Sequence, residues 1–354
     1  MVVGGGSAGH VLPAVPIIEV LLGAGHQVTF VGTRSGLEQG LLGDTRCDFQ
    51  AISAGKLRRY FSLENLIDVL RVGLGIAQAL WLMIRLRPDV IFSKGGFVSY
   101  PVALAGWLCR IPVVAHESDI TPGLANRLVM PMASTLCTSF APTHFAHAKR
   151  VVHTGSPLRQ SILQGDAAAG RARLSVPHNK ALLVITGGSL GADGLNRIVR
   201  DSLEWLTPHF YVFHVCGSGK LAQRRVAGYE QVEYVSAGWG DVLAAADVIV
   251  SRAGANALFE IVALKKRNLL VPLPKVASRG DQLENAAYAE AQGWSLVIQE
   301  EDLTPIALRD GVNRLMDEAE QWSKNLDQFS SPDATAAIVR EILAAARPAS
   351  DPGE

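Results

Sequence analysis

The sequence has no paired cysteines, no excess of charge of either sign and no apolar run of membrane-spanning length, and each lack removes a class of function. Its four cysteines, Cys47, Cys109, Cys137 and Cys216, form neither a CxxC nor a metal-ligand spacing, which fits core thiols in a reducing compartment. Basic and acidic residues balance at 33 each, which argues against a nucleic-acid binder run on bulk charge. There is no Asp-x-Asp pair, so a metal-bound diphosphate is not indicated, and no metal or cofactor is expected. The longest apolar run, Val72–Ile84, would make a helix of about 20 Å against a hydrocarbon core of roughly 30 Å, so nothing is expected to span a membrane. After Met1-Val2-Val3 the chain enters glycines with no visible signal peptide; either the first strand is short or the start lies upstream.

What is present is glycine, 34 residues of it, in a chain of 354 that is 48% hydrophobic and long enough to favour two domains. Strands alternate with helices: Met1–Val3, His26–Val31, Asp89–Phe92 and Pro112–Ala115 in the first half, then Ala181–Thr186, Tyr211–Cys216, Gln231–Val235, Asp247–Val250 and Asn268–Val271. Repeated βα units imply parallel sheets with ligands at the strands' C-terminal ends. The segment Gln164–Lys180 is small, polar and without periodicity, and reads as a linker. The expected domains are therefore 1–163 and 164–331. The last helix, within 332–347, either closes the second domain or crosses back to the first, and Arg347–Glu354 reads as a disordered tail.

Several glycine motifs have to be told apart. Gly4–Gly9 fits G-x-G-x-x-G, but the second strand ends Val31-Gly32-Thr33-Arg34 with no acid before Glu38, so a ribose-holding carboxylate is missing. An NADP site through Arg34 and a plain tight βα turn remain open, but a phosphate-approaching turn fits better than either, with His10 presented behind it. Gly187–Gly191 fits G-x-S-x-G, yet no histidine follows His214, and a hydrolase needs one well after its serine. Ser189 then reads as a phosphate contact at a helix start. Gly217–Leu221 hints at a P-loop, but Leu221 replaces the Ser or Thr that would hold Mg²⁺.

The stretch Asp247–Ala286 carries the most specific chemistry. Strand, turn Gly254-Ala255-Asn256-Ala257, helix with Glu260, second strand, then Asp281, Gln282 and Asn285 would give a helix end for phosphate and a carboxylate and amides for hydroxyls. That is what a nucleotide-sugar site needs. His116-Glu117-Ser118-Asp119 at a strand end reads as a site or as a polar turn, and Arg159 as a diphosphate contact or a surface ion pair. Lys56–Phe61 is basic and aromatic and precedes the apolar helix Leu66–Leu86, which carries Trp81 with Arg71 and Arg85. Core helix and interfacial patch for anionic lipid are both open readings.

GGGSAGHVLP (Gly4–Pro13), KGGFVSYP (Lys94–Pro101), HESDITPGLANR (His116–Arg127), TGSPLR (Thr154–Arg159), GGSLGADGLN (Gly187–Asn196), ADVIVSRAGANALFE (Ala246–Glu260) and DQLENA (Asp281–Ala286) occur in this order. In that order they resemble the bacterial N-acetylglucosaminyltransferases of lipid II synthesis, the MurG family, over nearly the whole chain. The resemblance implies an α/β GT-B fold, two Rossmann-like domains with parallel sheets facing a cleft, acceptor on the N-terminal and UDP-GlcNAc on the C-terminal domain. It implies inverting transfer of GlcNAc to the 4-hydroxyl of MurNAc in undecaprenyl-diphospho-MurNAc-pentapeptide, for cell-wall peptidoglycan, by a peripheral protein on the anionic cytoplasmic face of the cell membrane. Nucleic acid is not an expected partner. Another GT-B transferase with a different lipid or natural-product acceptor, a UDP-GlcNAc 2-epimerase and a non-enzymatic UDP-sugar sensor are the rival readings.

Carried over by position, the donor contacts are Ser7, Ala8, Gly9, Asn126, Arg159, Ser189, the helix start Ala255, Asn256, Ala257, Leu258, Phe259 and Glu260 (Glu260 on the ribose), and Gln282 on the sugar hydroxyls. Ser236 marks the uracil contact. Gly95, Gly96, His116 and Glu117 are acceptor-side candidates. His10 is the candidate general base, since an inverting transfer needs one group to take the acceptor proton; binding phosphate is its alternative role. The family's His-Glu-Gln-Asn is here His116-Glu117-Ser118-Asp119, its Thr-Gly is Ser7-Ala8, and its Ser-Gly-Pro is Ser99-Tyr100-Pro101.

Overall fold

Short apolar segments rich in Val, Ile and Leu form two wholly parallel sheets. The computed structural model describes residues 1–34, 36–43, 45–55, 63–143, 145, 148–188, 191–276, 278–330 and 333–346. The readings made for Lys56–Phe61, Ser189 and Arg347–Glu354 lie outside the described residues. The chain divides into two compact units, Met1–Arg159 with the last helix, and Gln160–Ser331.

The first unit holds β1 (Val2–Val3), β2 (Thr29–Thr33), β3 (Asp48–Ile52), β4 (Ile91–Ser93), β5 (Val113–Glu117), β6 (Thr135–Thr138) and β7 (Val151–His153), in the order β3-β2-β1-β4-β5-β6-β7. Side chains alternate across the sheet, so the two faces build separate cores. Val3, Val31, Ile91 and Val113 pack with Ala79, Leu82 and Met83 on one face. Val2, Phe30, Phe92 and Val114 pack with Ile17, Ile18, Ile338 and Ile342 on the other. The helix Ala334–Ala345 thus belongs to this unit. Its Asp333 cap accepts from the Ala336 N–H at 2.9 Å, and Glu341 pairs with Arg150.

The second unit holds β8 (Ala181–Thr186), β9 (Phe210–Val215), β10 (Tyr229–Val232), β11 (Val248–Ser251), β12 (Asn268–Leu270) and β13 (Leu296–Val297), in the order β10-β9-β8-β11-β12-β13. In each sheet the order reverses beside its first strand, between β1 and β4 and between β8 and β11. Loops leaving the C-terminal ends of strands at such a reversal bound a crevice where ligands of open α/β sheets bind.

Two expectations change. Gln164–Lys180 is not a bare linker: it contains the helix Ala167–Arg173, capped by Asp166, which accepts from the Ala168 N–H at 2.8 Å. A side chain at Gly170 would lie 2.1 Å from the Asp241 carbonyl oxygen, so this short helix packs tightly on its neighbour through glycine, leaving no apolar stripe to read. The apolar helix runs Leu63–Leu86, and its Asp68–Leu86 part, 19 residues, is long and apolar enough to cross a membrane by length and composition. It nevertheless buries Ala79, Leu82 and Met83 in the unit's core, as a surface helix does.

Candidate active site

In the first unit the glycine turns after β1 and β4 interlock. Gly6 has φ +89°, and a Cβ there would sit 2.4 Å from the Phe97 ring. Gly96 has φ +85°, and its Cβ would fall 2.0 Å from the Gly5 carbonyl oxygen. Only glycine permits both the left-handed backbone and this approach. Glu38 is 1% exposed and braces the turn, accepting from the Gly6 N–H and from the Thr33 hydroxyl, each at 3.1 Å. By sequence position Glu38 is only an acid placed too late to hold a ribose. It reaches back to the first turn instead.

Ser7 is exposed and extended at the start of the helix Ala8–Val11, with no side-chain cap bond, and Ala8 and Gly9 follow it into that helix. His10 is half-buried there, its N–H donating to the Ser7 carbonyl at 3.1 Å. Its Nδ1 lies 3.5 Å from the point where a Cβ on Gly95 would stand, and the Asn126 carboxamide lies 3.4–3.5 Å from that same point. The structure therefore brings His10, Gly95 and Asn126 together at the sheet's reversal. Asn126 is buried and donates through Nδ2 to the His116 carbonyl at 3.0 Å and to Glu117 at 2.9 Å. Its Oδ1 has no hydrogen-bond partner among the described residues.

His116 and Glu117 end β5, and both are buried. Glu117 accepts from the N–H groups of Ser118 (2.9 Å), Asp119 (3.1 Å) and Gly123 (3.0 Å) as well as from Asn126. Burial, with the Lys94 charge adding to it, holds the His116 imidazole well below its usual pKa, so it is neutral beside the Gly155 carbonyl at 3.4 Å. Both side chains shape the turn from inside. Arg159 is half-buried at the end of this unit. Lys94, which sequence reasoning passed over, is 1% exposed, and its ammonium donates to Ser118 Oγ at 2.5 Å.

In the second unit the loop after β8 turns through Gly188 (φ +78°) and Gly191 (φ +67°), with Ser189 outside the described residues. A Cβ on Gly191 would lie 2.1 Å from the Cys216 carbonyl oxygen, which itself accepts from Asn196 Nδ2 at 2.9 Å. His214 stands 2.9 Å from Asn196 Oδ1, and burial lowers its pKa to about 3, so the neutral ring holds that amide in place.

After β11 comes buried Arg252, another residue the sequence did not single out. It donates to the Val271 carbonyl at 3.1 Å and to Glu300 at 2.8 Å, tying the ends of β11 and β12 together. Gly254, extended and with open space on its Cβ side, leads into the helix Ala255–Ala263. Asn256, Ala257 and Glu260 are half-buried, whereas Ala255, Leu258 and Phe259 are buried, Phe259 against the Phe329 ring at 6.3 Å. Leu258 and Phe259, carried over as donor contacts, thus turn their side chains into the core and have only backbone to offer. Gln282 is half-buried, its Oε1 accepting from the Leu273 N–H at 3.1 Å, while Asn285 donates to the Ala253 carbonyl at 3.2 Å. Ser236 is exposed between β10 and the helix Trp239–Ala245.

The model of the N-terminal domain of glycosyltransferase family 28 matches residues 1–138, and that of the family's C-terminal domain matches residues 182–338. A Clostridium kluyveri protein named UDP-N-acetylglucosamine–N-acetylmuramyl-(pentapeptide) pyrophosphoryl-undecaprenol N-acetylglucosamine transferase is 43% identical over 343 residues, covering 96% of this chain and 97% of that protein. A protein of the same name from Legionella pneumophila is 44% identical over 346 residues, covering 96% and 95%. Among solved structures, Acinetobacter baumannii MurG matches with a TM-score of 0.75 at 26% identity, covering 97% of this chain and 99% of that one.

Proposed function

This chain belongs to glycosyltransferase family 28, and from that premise we propose how its two units divide the work of a GT-B transferase. The protein is a UDP-GlcNAc-dependent glycosyltransferase that transfers GlcNAc to the lipid-diphosphate-linked MurNAc-pentapeptide of peptidoglycan synthesis. One observation carries this: relatives bearing that activity in their names match it at 43 and 44% identity across nearly their full length.

The second unit takes UDP-GlcNAc. Supporting this, the helix start behind Gly254 turns its first N–H groups and the positive end of its dipole toward the place of a diphosphate, Glu260 stands one turn on for the ribose, and Gln282 lies beside the end of β12 for the sugar hydroxyls. The first unit takes the acceptor at the interlocked turns. His10 accepts the proton of the 4-hydroxyl as its oxygen bonds to the anomeric carbon, and UDP leaves with the electron pair of the broken C–O bond. The convergence of His10 and Asn126 on Gly95 supports this role, because it sets the imidazole beside the residue carried over as the GlcNAc contact. His116 and Glu117 act as positioning groups.

The protein sits on the cytoplasmic face of the membrane through the helix Leu63–Leu86. Val69, Leu70, Leu74, Trp81 and Ile84 are exposed on it, with Trp107 and Leu108 exposed on the helix Ser99–Leu108. Arg85 lies 4.9 Å over the Trp81 ring, so a cation borders the apolar face as an anionic headgroup layer requires. Incubation of the purified protein with labelled UDP-GlcNAc and a lipid-linked MurNAc-pentapeptide analogue tests the function. Labelled lipid-linked disaccharide is expected; labelled free sugar with UDP, and no disaccharide, would point to the epimerase instead.

A further inference from the structure

We propose that Lys94 is a positioning residue for acceptor activation, its buried ammonium fixing the register in which His10 and Asn126 meet at Gly95. This rests on the transferase reading given above. The geometry is a closed circuit within the first unit. Lys94 immediately precedes Gly95, and its N–H donates to the Val3 carbonyl at 2.8 Å, anchoring it at the end of β4. Its side chain passes the first glycine turn, since a Cβ on Gly4 would stand 3.4 Å from Lys94 Cβ, and ends on Ser118 Oγ at 2.5 Å. The Ser118 N–H is held by Glu117, Glu117 holds Asn126, and the Asn126 carboxamide returns to within 3.5 Å of the Gly95 position. An apolar side chain of the same length would fill the volume and leave the circuit open at Ser118.

The charge matters as well as the shape. A buried ammonium is costly unless opposite charge is close. Glu117 and Asp119 favour its charged form, and His116 beside it is kept neutral. His10 and Glu38 are further titratable groups, among the described residues, at the glycine turns that Lys94 borders. Burial outweighs the two carboxylates and lowers the Lys94 pKa from 10.5 to about 8. Above that pH the amine becomes neutral, the bond to Ser118 weakens and Glu117 and Asp119 lose the positive charge beside them. Activity should therefore fall as pH rises through about 8.

Stability moves the opposite way. The folded pKa lies below the unfolded one, so between about 8 and 10.5 the unfolded chain binds more protons, and this group makes folding more favourable as pH rises. An alkaline loss of turnover without loss of folded protein thus separates a positioning role from a merely structural one.

The experiment measures turnover against pH for wild type, Lys94→Met and Ser118→Ala, with folding followed by thermal melts. Lys94→Met should lower kcat at saturating acceptor roughly tenfold, the loss of one hydrogen bond to a charged group, and leave the donor KM within about twofold. Its alkaline limb should vanish. Ser118→Ala removes a bond to the charged form, so its limb should move to lower pH. Should Lys94→Met fail to fold, Ser118→Ala decides alone: a displaced limb supports the proposal and an unmoved one overturns it. Coincident wild-type and Lys94→Met profiles, or a wild-type profile without an alkaline limb, also overturn it. Absence of any transfer by wild type would instead sink the functional reading.

Discussion

Replacing Glu117 by Gln exchanges one carboxylate oxygen for an amide nitrogen and leaves the shape unchanged. In the native turn one oxygen accepts from Ser118 and Asp119 and the other from Gly123 and Asn126. Whichever way the amide points, its NH₂ faces two donors. If the oxygen stays with Ser118 and Asp119, the nitrogen opposes Gly123 N–H and Asn126 Nδ2. Asn126 cannot simply flip, because its Nδ2 also donates to the His116 carbonyl at 3.0 Å. Two buried bonds are lost and their donors left unmatched, which costs about 3 kcal/mol in total. For a unit of this size that corresponds to a fall of roughly 6–12 °C in Tm. Differential scanning calorimetry, resolving the first unit's transition, measures it. Turnover should fall too, since Asn126 loses its support. A variant melting within about 2 °C of wild type, with only the acceptor KM raised, would refute the pin and make Glu117 a substrate contact.

Two further substitutions probe the interlocked turns and the exposed apolar helix. Gly96→Ala places a methyl 2.0 Å from the Gly5 carbonyl at φ +85°, so it should separate the interlocked turns, cost about 2 kcal/mol or more and abolish most transfer; a variant of wild-type turnover contradicts the interlock. Trp81→Glu with Ile84→Glu changes two exposed side chains and should weaken flotation with phosphatidylglycerol vesicles by roughly a hundredfold at unchanged Tm; unaltered flotation removes the helix Leu63–Leu86 from the membrane surface.

The sequence made the βα alternation legible because buried parallel strands such as Ala181–Thr186 and Val248–Ser251 are continuous apolar runs. It also marked the two glycine turns at the sheet reversals. It did not show β3, β6, β7 or β13, which are short, polar in part or half-exposed, as in Asp48–Ile52 and Val151–His153. Nor could it show Glu38, Lys94 or Arg252 at work. Glu38 meets Gly6 across 32 positions and Lys94 meets Ser118 across 24, and no local pattern encodes such partners. Leu258 and Phe259, carried over with their motif as one block, also bury the side chains that hold its helix to the core.

The linkage made is the most direct test of the transfer. Nuclear magnetic resonance of the product from UDP-GlcNAc and lipid-linked MurNAc-pentapeptide should show GlcNAc joined in the β configuration to the 4-oxygen of MurNAc, inverted from the α-linked donor. An α-linked product, or conversion of the nucleotide sugar with no sugar on the lipid, would contradict it.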